Sequence, residues 1–578
     1  MKTENMYKLN SDFFNKRLTI IFWLIALAAG AVCAWNGRYV MGQDGIAYLD
    51  VGDAYFRGDL KTAINPYWGP LYSWLLGLAM YVLKPSIYWE FIVVQIVNYL
   101  IYICTLAAFT FFLRELLDYR RFQREKFLQE RNFAIPESVL HALGFVLFIW
   151  SSLDLIGIPL VSPDMCVAFF TYVSSAILLR IYRNVAAWHE FIFFGIFLGM
   201  GYLAKSIMFP MALVFFVCAF LATGSIRKKI KPILVAVVLF SAVSGPFIYA
   251  ISAHEGRLVI GDCGRVMYIK IVNGRKNYPR LRVRLGDQVL FGRPKDNSYK
   301  FPAIYTFEET VGVTYPLIYN PSYWYKDTKL RFDLMNQIDT IIANTRKYFR
   351  MFFPSQLGLI FGVFMLYFLA RREQRWGKAL WEFRGLVIPA VFAFGLYGLL
   401  YMETRYLGPF FVLLWMGVIS GIRSPASQRL KRYAALMVFI LCVWMIALIG
   451  QRFLLRTYTF IDGFEKNNYG LGNKHIALAK SLRKMDIYPG DRVAVIGDAF
   501  KSYWARLAKV YIIAQIPKAD VVKFWESNQE VQSQVIKKLT ENEVKIVVAS
   551  NIPQKASFNK WKRVEGTDWY ILKKSDIL

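Results

Sequence analysis

Long apolar runs, broken by short polar stretches, dominate the chain. The first covers Leu18 to Trp35 behind Lys16 and Arg17. Others lie at about Trp89 to Leu113, Val139 to Ile158, Met165 to Ile181, Glu190 to Leu203 and Ile207 to Leu221. The series continues at about Ile233 to Ile251, Ser355 to Leu369, Gly385 to Met402, Tyr406 to Ile422 and Tyr433 to Phe453. Roughly 20 apolar residues in a helix match the hydrocarbon thickness of a bilayer, so the pattern predicts a polytopic α-helical membrane protein with about 11 transmembrane helices. The first run has the form of a signal peptide ending near Ala31, but its length and the spans behind it favour an uncleaved first helix.

Basic residues orient these helices. Arg120, Arg121, Arg124, Lys126 and Arg131 fall in one inter-span loop, Arg180 and Arg183 in a second, and Arg227, Lys228, Lys229 and Lys231 in a third. Two more loops carry Arg371, Arg372, Arg375 and Lys378, and Arg423, Arg429, Lys431 and Arg432. The alternate short loops are poor in Lys and Arg: Ser151 to Asp164 has none, and Lys205 and Arg405 stand alone in theirs. The positive-inside rule then places the N-terminus in the cytoplasm and, with an odd number of spans, the C-terminus outside. The setting expected is a bacterial inner membrane.

Two outer pieces interrupt the helical pattern. Residues 254–350 form a long basic loop, irregular through GRKNYPRLRVRLGDQVLFGRPKDNSYK and then aromatic around Tyr315 to Tyr325. Residues 454–578, behind a transmembrane module of residues 1–453, read as a soluble α/β domain outside the membrane. Its expected strands are Arg492 to Gly497, Val510 to Ile516 and Val544 to Ser550, followed by a pairing of Trp561 to Val564 with Trp569 to Lys573. Helices are expected at Ser502 to Leu507 and Val521 to Thr540. No GxGxxG turn follows a strand, so a dinucleotide is not expected.

Composition narrows the functional classes. The formal net charge of +30 over 578 residues would suggest nucleic acid in a soluble protein. In a chain 56% hydrophobic the same charge belongs to cytoplasmic loops and anionic lipid heads, and no nucleic-acid partner is expected. Of six cysteines only Cys263 falls in a water-facing loop, so no disulfide framework is implied. Four histidines without ligand spacing argue against a zinc site.

The candidate chemistry centres on an outer loop, residues 37–88, in the stretch GQDGIAYLDVGDAYFRGDLKTAINPYWGPLYSWLLGL. It places Asp44 where the first helix gives way to water, then the knot Asn65-Pro66-Tyr67-Trp68-Gly69-Pro70, then an amphipathic segment from Leu71 to Leu83 ending at Lys84. Ser162-Pro163-Asp164-Met165 opens the fourth span, Gly201-Tyr202-Leu203-Ala204-Lys205 closes the fifth, and Glu403-Thr404-Arg405-Tyr406-Leu407-Gly408-Pro409 opens the tenth. In order and sidedness these segments resemble the GT-C superfamily of membrane glycosyltransferases, in the branch of protein O-mannosyltransferases and the bacterial lipid A aminoarabinose transferase. Many members carry Asp-Glu at the first site, where this chain has Asp44-Gly45.

The resemblance implies transfer of a monosaccharide from a polyprenyl-phosphate donor to a lipid, glycan or protein acceptor, with inversion, on the outer face. Such a reaction needs a base for the attacking hydroxyl and cations for the departing phosphate. Asp44 is the expected base and Asp164 a second acidic contact. Lys84, Lys205 and Arg405 are the expected phosphate ligands, with Tyr48, Tyr67, Trp68, Glu403 and Tyr406 about the substrate. Plainer roles compete: Asp164 could complement a helix dipole, Lys205 could snorkel, Arg405 could pair with Glu403, and Lys84 could end a helix. Asp50, Asp53 and Asp59 read as solvated or capping residues, and Asp154 and Glu90 as weaker candidates still. No metal is assigned, although oxygens of Asp44 and Asp164, if brought together, would suit magnesium or manganese. A transporter of lipid-linked saccharide and a surface polysaccharide polymerase or ligase are the alternative readings. Beyond donor, acceptor and membrane lipids, a monomer is expected.

Overall fold

A backbone in hydrocarbon must satisfy its own N–H and C=O groups, and each apolar run of this chain accordingly becomes a helix. The computed structural model describes residues 2–126, 132–133, 135–184, 187–222, 226–273, 302, 304–307, 312–324, 330–370, 376–424, 428–465, 471–540, 543–550, 552 and 560–576. The basic stretch 274–300 of the long loop, and parts of the basic loops expected in the cytoplasm, lie outside the described residues.

In chain order the helices and strands begin with α1 (Lys2–Asn36), α2 (Gln43–Arg57), α3 (Leu60–Ala63), α4 (Pro70–Leu83), α5 (Glu90–Lys126), β1 (Asn132–Phe133) and α6 (Glu137–Trp150). A π-helical turn, Ser151–Ile156, extends α6. There follow α7 (Asp164–Tyr182), α8 (Trp188–Ala204), α9 (Met208–Phe220), α10 (Ile226–Glu255), α11 (Cys263–Ile271), β2 (Tyr305–Thr306), α12 (Pro321–Trp324) and α13 (Leu334–Ala370). The series then runs through α14 (Trp376–Glu382), α15 (Arg384–Leu399), α16 (Thr404–Ser420), β3 (Arg423–Ser424), α17 (Gln428–Glu465) and α18 (Leu471–Lys484). The C-terminal part holds β4 (Arg492–Gly497), α19 (Tyr503–Ala508), β5 (Tyr511–Pro517), α20 (Val521–Glu526), α21 (Gln529–Leu539), β6 (Ile546–Ala549), β7 (Lys562–Arg563) and β8 (Tyr570–Lys573).

The chain is a multi-pass membrane protein, but its helices are not all of full length. Among the described residues, segments of α1, α5, α7, α10 and α17, and α6 with its π turn, make six helices long and apolar enough to cross. The bent pair Leu334–Phe353 and Gln356–Phe368 within α13 raises this to seven. The other four expected spans coincide with α8, α9, α15 and α16, of 13 to 17 residues. At 1.5 Å per residue these reach about 20–26 Å, short of a hydrocarbon core of about 30 Å. α7 is buried on nearly every face, with α5, α8 and α16 packed around it.

Close packing sets the outer helices. A Cβ at Gly52 of α2 would stand 2.6 Å from the Ser73 carbonyl oxygen, and one at Gly77 of α4 would stand 2.7 Å from that of Gly52. Only glycine permits this backbone approach. The Asn65 carboxamide accepts from the Tyr67 N–H at 2.8 Å, turning the chain so that Pro70 begins α4 at its first turn. Asp59 caps α3 through the Thr62 N–H at 3.2 Å.

At the end of the helices nearest α2 lies a six-stranded mixed sheet in the order β2-β5-β4-β6-β8-β7. β5-β4-β6 are parallel, and β2, β8 and β7 add antiparallel. The expected strands fall within a residue or two of these positions. The single helical run expected over 521–540 is two helices, separated at Ser527 and restarted by the Asn528 side chain, which accepts from the Val531 N–H at 2.9 Å. β2 comes from the long outer loop and pairs with β5, a partnership that short strands in an irregular basic loop do not announce.

The sheet is joined to the helical body by an ion cluster around a buried guanidinium. Arg506 of α19 binds Asp50 at 2.7 Å, Asp53 at 2.8 Å and Glu90 at 2.8 Å. Asp50 and Asp53 were expected as solvated or capping residues; α2 instead turns both toward Arg506, with Asp50 buried and Asp53 keeping 31% of its side chain exposed. Asp154, in the π turn, pairs with Arg452 of α17.

Candidate active site

Asp44 lies in the first turn of α2, where unpaired backbone N–H groups favour a carboxylate. Its Oδ2 accepts from Arg405 Nη2 at 3.3 Å, and its side chain keeps 29% of its surface exposed. Asp164, in the first turn of α7, is nearly sealed, at 3%. Its Oδ1 takes the Lys205 ammonium at 2.6 Å, and its Oδ2 takes the Ser162 hydroxyl at 2.9 Å with Arg405 Nε 3.5 Å away. The short polar segments of four separate breaks between helices thus converge, with Arg405 between two carboxylates.

Tyr406 completes this cluster. The Lys205 ammonium sits 3.6 Å above its ring and Arg405 donates to its hydroxyl at 3.4 Å. The ring also stacks on Tyr397 at 5.1 Å. Glu403 accepts from the Tyr401 hydroxyl.

Beside the cluster is a cavity of about 430 Å³. Asp44, Tyr67, Glu403, Arg405 and Tyr406 are among the residues that line it. Leu155 and Ile156 of the π turn, with Leu160 and Val161, form an apolar wall. Leu155 and Ile156 belong to the π turn, a geometry that recurs at functional sites. Position 45, acidic in many GT-C enzymes, has no room for a side chain: a Cβ on Gly45 would meet Val161 Cβ at 2.9 Å and Met41 Sδ at 2.7 Å.

The expected substrate residues divide in two. Tyr67, Glu403, Arg405 and Tyr406 reach the cavity with Asp44. Tyr48 and Trp68 stand behind it: Tyr48 packs edge-on against Trp68 and Tyr72, and Trp68 donates to the Ile318 carbonyl at 3.1 Å. Lys205 is committed to Asp164. Lys84 is an exposed residue in the left-handed conformation that ends α4, at φ 42°, fourteen residues from the end of that helix that faces the site. The structure therefore does not bring Lys84 to the cluster, because α4 points it away.

Lys270 and Tyr319 enter the cavity unannounced. Lys270, on α11, donates to the Tyr319 hydroxyl at 2.7 Å, its ammonium 4.3 Å from the ring centre. Burial pushes its pKa down to about 8 against the opposing pull of Asp44 and Cys263. Tyr319 in turn packs on Tyr67 at 5.1 Å. The one sequence signal was the aromatic segment after Tyr315. Lys270 lies among so many loop cations that only the fold distinguishes it.

A divalent ion bridging Asp44 and Asp164 does not fit this donor set. Both Asp164 oxygens are engaged, and the Arg405 guanidinium fills the space between the carboxylates. Among the described residues no three His, Cys, Asp or Glu side chains converge at metal-ligand geometry.

No family model and no curated protein matches the chain. Solved structures similar to it include the oligosaccharyltransferase of Archaeoglobus fulgidus, described in complex with zinc and sulfate. The TM-score is 0.45 at 14% identity, over 92% of this chain and 68% of that one. ArnT from Cupriavidus metallidurans bound to undecaprenyl phosphate gives a TM-score of 0.46 at 11% identity, over 96% and 97%. The apo form of ArnT gives 0.43 at 12% identity, over 92% and 93%. At such identities and TM-scores none of these proteins lends a residue role or a ligand to this chain.

Proposed function

We propose that the protein is a membrane glycosyltransferase. It moves a monosaccharide from a polyprenyl-phosphate donor to a hydroxyl of a lipid, glycan or protein acceptor, with inversion, on the periplasmic face of a bacterial inner membrane. The N-terminus is cytoplasmic and the C-terminal sheet lies outside. The observation that carries the reading is the company Asp44 keeps: a partly exposed carboxylate on a cavity that also presents Arg405, Lys270 and an apolar wall.

In this reading the acceptor oxygen attacks the anomeric carbon while the carbon–oxygen bond to phosphate breaks, its electron pair leaving with the phosphate. The hydroxyl proton passes to Asp44. A base so placed contributes about 10²–10⁴ in rate. Arg405 and Lys270 meet the phosphate, the guanidinium as a planar fork and the ammonium as a point charge. As the phosphate draws Arg405, the 3.3 Å bond to Asp44 loosens and frees that carboxylate for the acceptor. Tyr67, Tyr319 and Tyr406 offer ring edges and hydroxyls to the sugar, and Leu155 and Ile156 an apolar surface to the first isoprene units. Asp164 positions Arg405 and Lys205 rather than taking a proton, since both its oxygens are already bonded. Cation chemistry at the leaving phosphate comes from Arg405 and Lys270, without a bridging metal.

The test is transfer of radiolabelled sugar from a panel of polyprenyl-phosphate monosaccharides by membranes containing the protein. A glycosidic product that depends on the protein supports the reading. Movement of labelled lipid between leaflets with no new glycosidic bond would instead establish a carrier.

A further inference from the structure

We infer that the C-terminal sheet is a positioning part of the active site, with Arg506 holding the Asp44 helix and Thr314 locking that helix to the loop that carries Tyr319. The role rests on the transferase reading above; the clamp itself does not.

Arg506 has 7% of its side chain exposed, and Nη1, Nη2 and Nε each meet a different carboxylate, those of Asp50, Asp53 and Glu90. A guanidinium fork so engaged fixes direction as well as charge. Two of these acids are on α2, and the third begins α5. Asp50 lies six residues after Asp44 on one short helix, about 9 Å along its axis, so displacement at one end is carried to the other.

Thr314 closes the node from the other side. Its N–H donates to Asp50 Oδ2 at 3.0 Å and its hydroxyl to Asp50 Oδ1 at 3.2 Å, while its carbonyl accepts from the Ile512 N–H of β5 at 3.0 Å. Tyr315 donates to the Gln515 side chain at 3.0 Å, and β2 pairs with the same strand. One strand therefore grips the segment that ends in Tyr319, the partner of Lys270, while the adjoining helix grips α2. The cluster holds three carboxylates to one guanidinium, and burial raises the Asp50 carboxyl above its usual range although Arg506 opposes this. Simple attachment of a domain needs neither this excess of acid around one buried guanidinium nor contacts aimed at two elements that both carry residues lining the cavity.

The test compares full-length wild type with Arg506→Met, Arg506→Lys and Thr314→Val in lipid nanodiscs, by amide hydrogen exchange and by transfer kinetics. Arg506→Met is expected to speed exchange across 43–57 and 312–318 by about tenfold or more relative to α7. The same variant is expected to lower kcat about 100-fold with donor KM within about twofold, as a misplaced base does. Arg506→Lys should recover at least about a tenth of the wild-type kcat, and Thr314→Val, which preserves shape, should lower kcat about fivefold. Unchanged exchange in both segments in Arg506→Met and Thr314→Val overturns the clamp. Loss of kcat only in proportion to lost folded protein, with Lys no better than Met, overturns the positioning role. If wild type transfers no sugar, the transferase reading falls, and the exchange data alone decide the clamp.

Discussion

Arg405 reaches Asp44 at 3.3 Å across 361 positions of sequence. The same guanidinium stands 3.5 Å from Asp164, whose other contacts fix it in place. One cation thus sets the position of an exposed carboxylate against a buried one. That arrangement gives the two acids different surroundings: Asp44 faces the cavity, and Asp164 holds Arg405.

Arg405 is expected to be the most sensitive cation at the site. In the proposed transfer, Arg405→Ala removes a donor to the leaving phosphate as well as the partner of two carboxylates. Loss of kcat/KM by about 10²–10³ is expected, the range for one preorganised donor. Arg405→Lys should recover little, because a point charge cannot reach Asp44, Asp164 and phosphate in one plane. Steady-state transfer kinetics on the purified variants measure both.

In the proposed transfer, the burial of Lys270 sets the sign of a pH dependence. Its pKa, pushed down to about 8 by burial, means that the charged form prevails below that pH and the neutral form above it. Donor kcat/KM, which reports the free enzyme, should fall as pH rises through about 8. Lys270→Met should lower the acidic plateau about tenfold or more and abolish this step, as expected for loss of a charged hydrogen bond. Lys270→Arg, which keeps its charge, should abolish the step and retain more of the plateau. An unchanged step in Lys270→Met contradicts the assignment.

The ion cluster under α2 should respond unequally to its members. Arg506→Met leaves three carboxylates without their guanidinium, a change of about 3–5 kcal/mol for a broken buried pair. Asp50 behaves differently. Its folded-state pKa is raised, so the folded protein binds that proton more readily than the unfolded chain, and stability from this group is lost as pH rises through the folded value. Asp50→Asn mimics the protonated form and should cost much less than Arg506→Met at neutral pH. Thermal midpoints in detergent at pH 7 rank the two.

Gly45 is where close packing limits the site. Gly45→Ala puts a methyl group 2.9 Å from Val161 Cβ, so α2 or the Val161 wall must move. Overpacking of this kind costs about 1–3 kcal/mol. A lowered melting midpoint together with reduced donor turnover is expected, and turnover equal to wild type would show that the cavity tolerates the shift.

Most of the fold was legible because bilayer and sheet impose strong periods. Apolar runs located the helices, and β-branched clusters such as Arg492 to Gly497 located the strands. The number of full crossings was not legible, since α8, α9, α15 and α16 are short apolar helices whose composition matches that of longer spans. At the site, Asp44, Tyr67, Glu403, Arg405 and Tyr406 could be picked out because each interrupts or borders an apolar run on one side of the membrane. Lys84 shared that signal, but the direction of α4 decides against it. Tyr319 had only the aromatic run around it, and Lys270 and Arg506 carried no signal: their roles depend on contacts between segments far apart in sequence, which no local pattern encodes.

The central claim is that Asp44 accepts the acceptor proton in a sugar transfer driven by Arg405 and Lys270 without a bridging metal. The most direct measurement is single-turnover transfer from a polyprenyl-phosphate sugar by Asp44→Asn in nanodiscs, with and without a chelator, beside donor binding by the same protein. The account predicts a loss of about 10²–10⁴ in the chemical step, donor affinity close to wild type, and no effect of chelator on the wild-type rate. Wild-type turnover in Asp44→Asn, or a wild-type rate abolished by chelator and restored by magnesium or manganese, would contradict it.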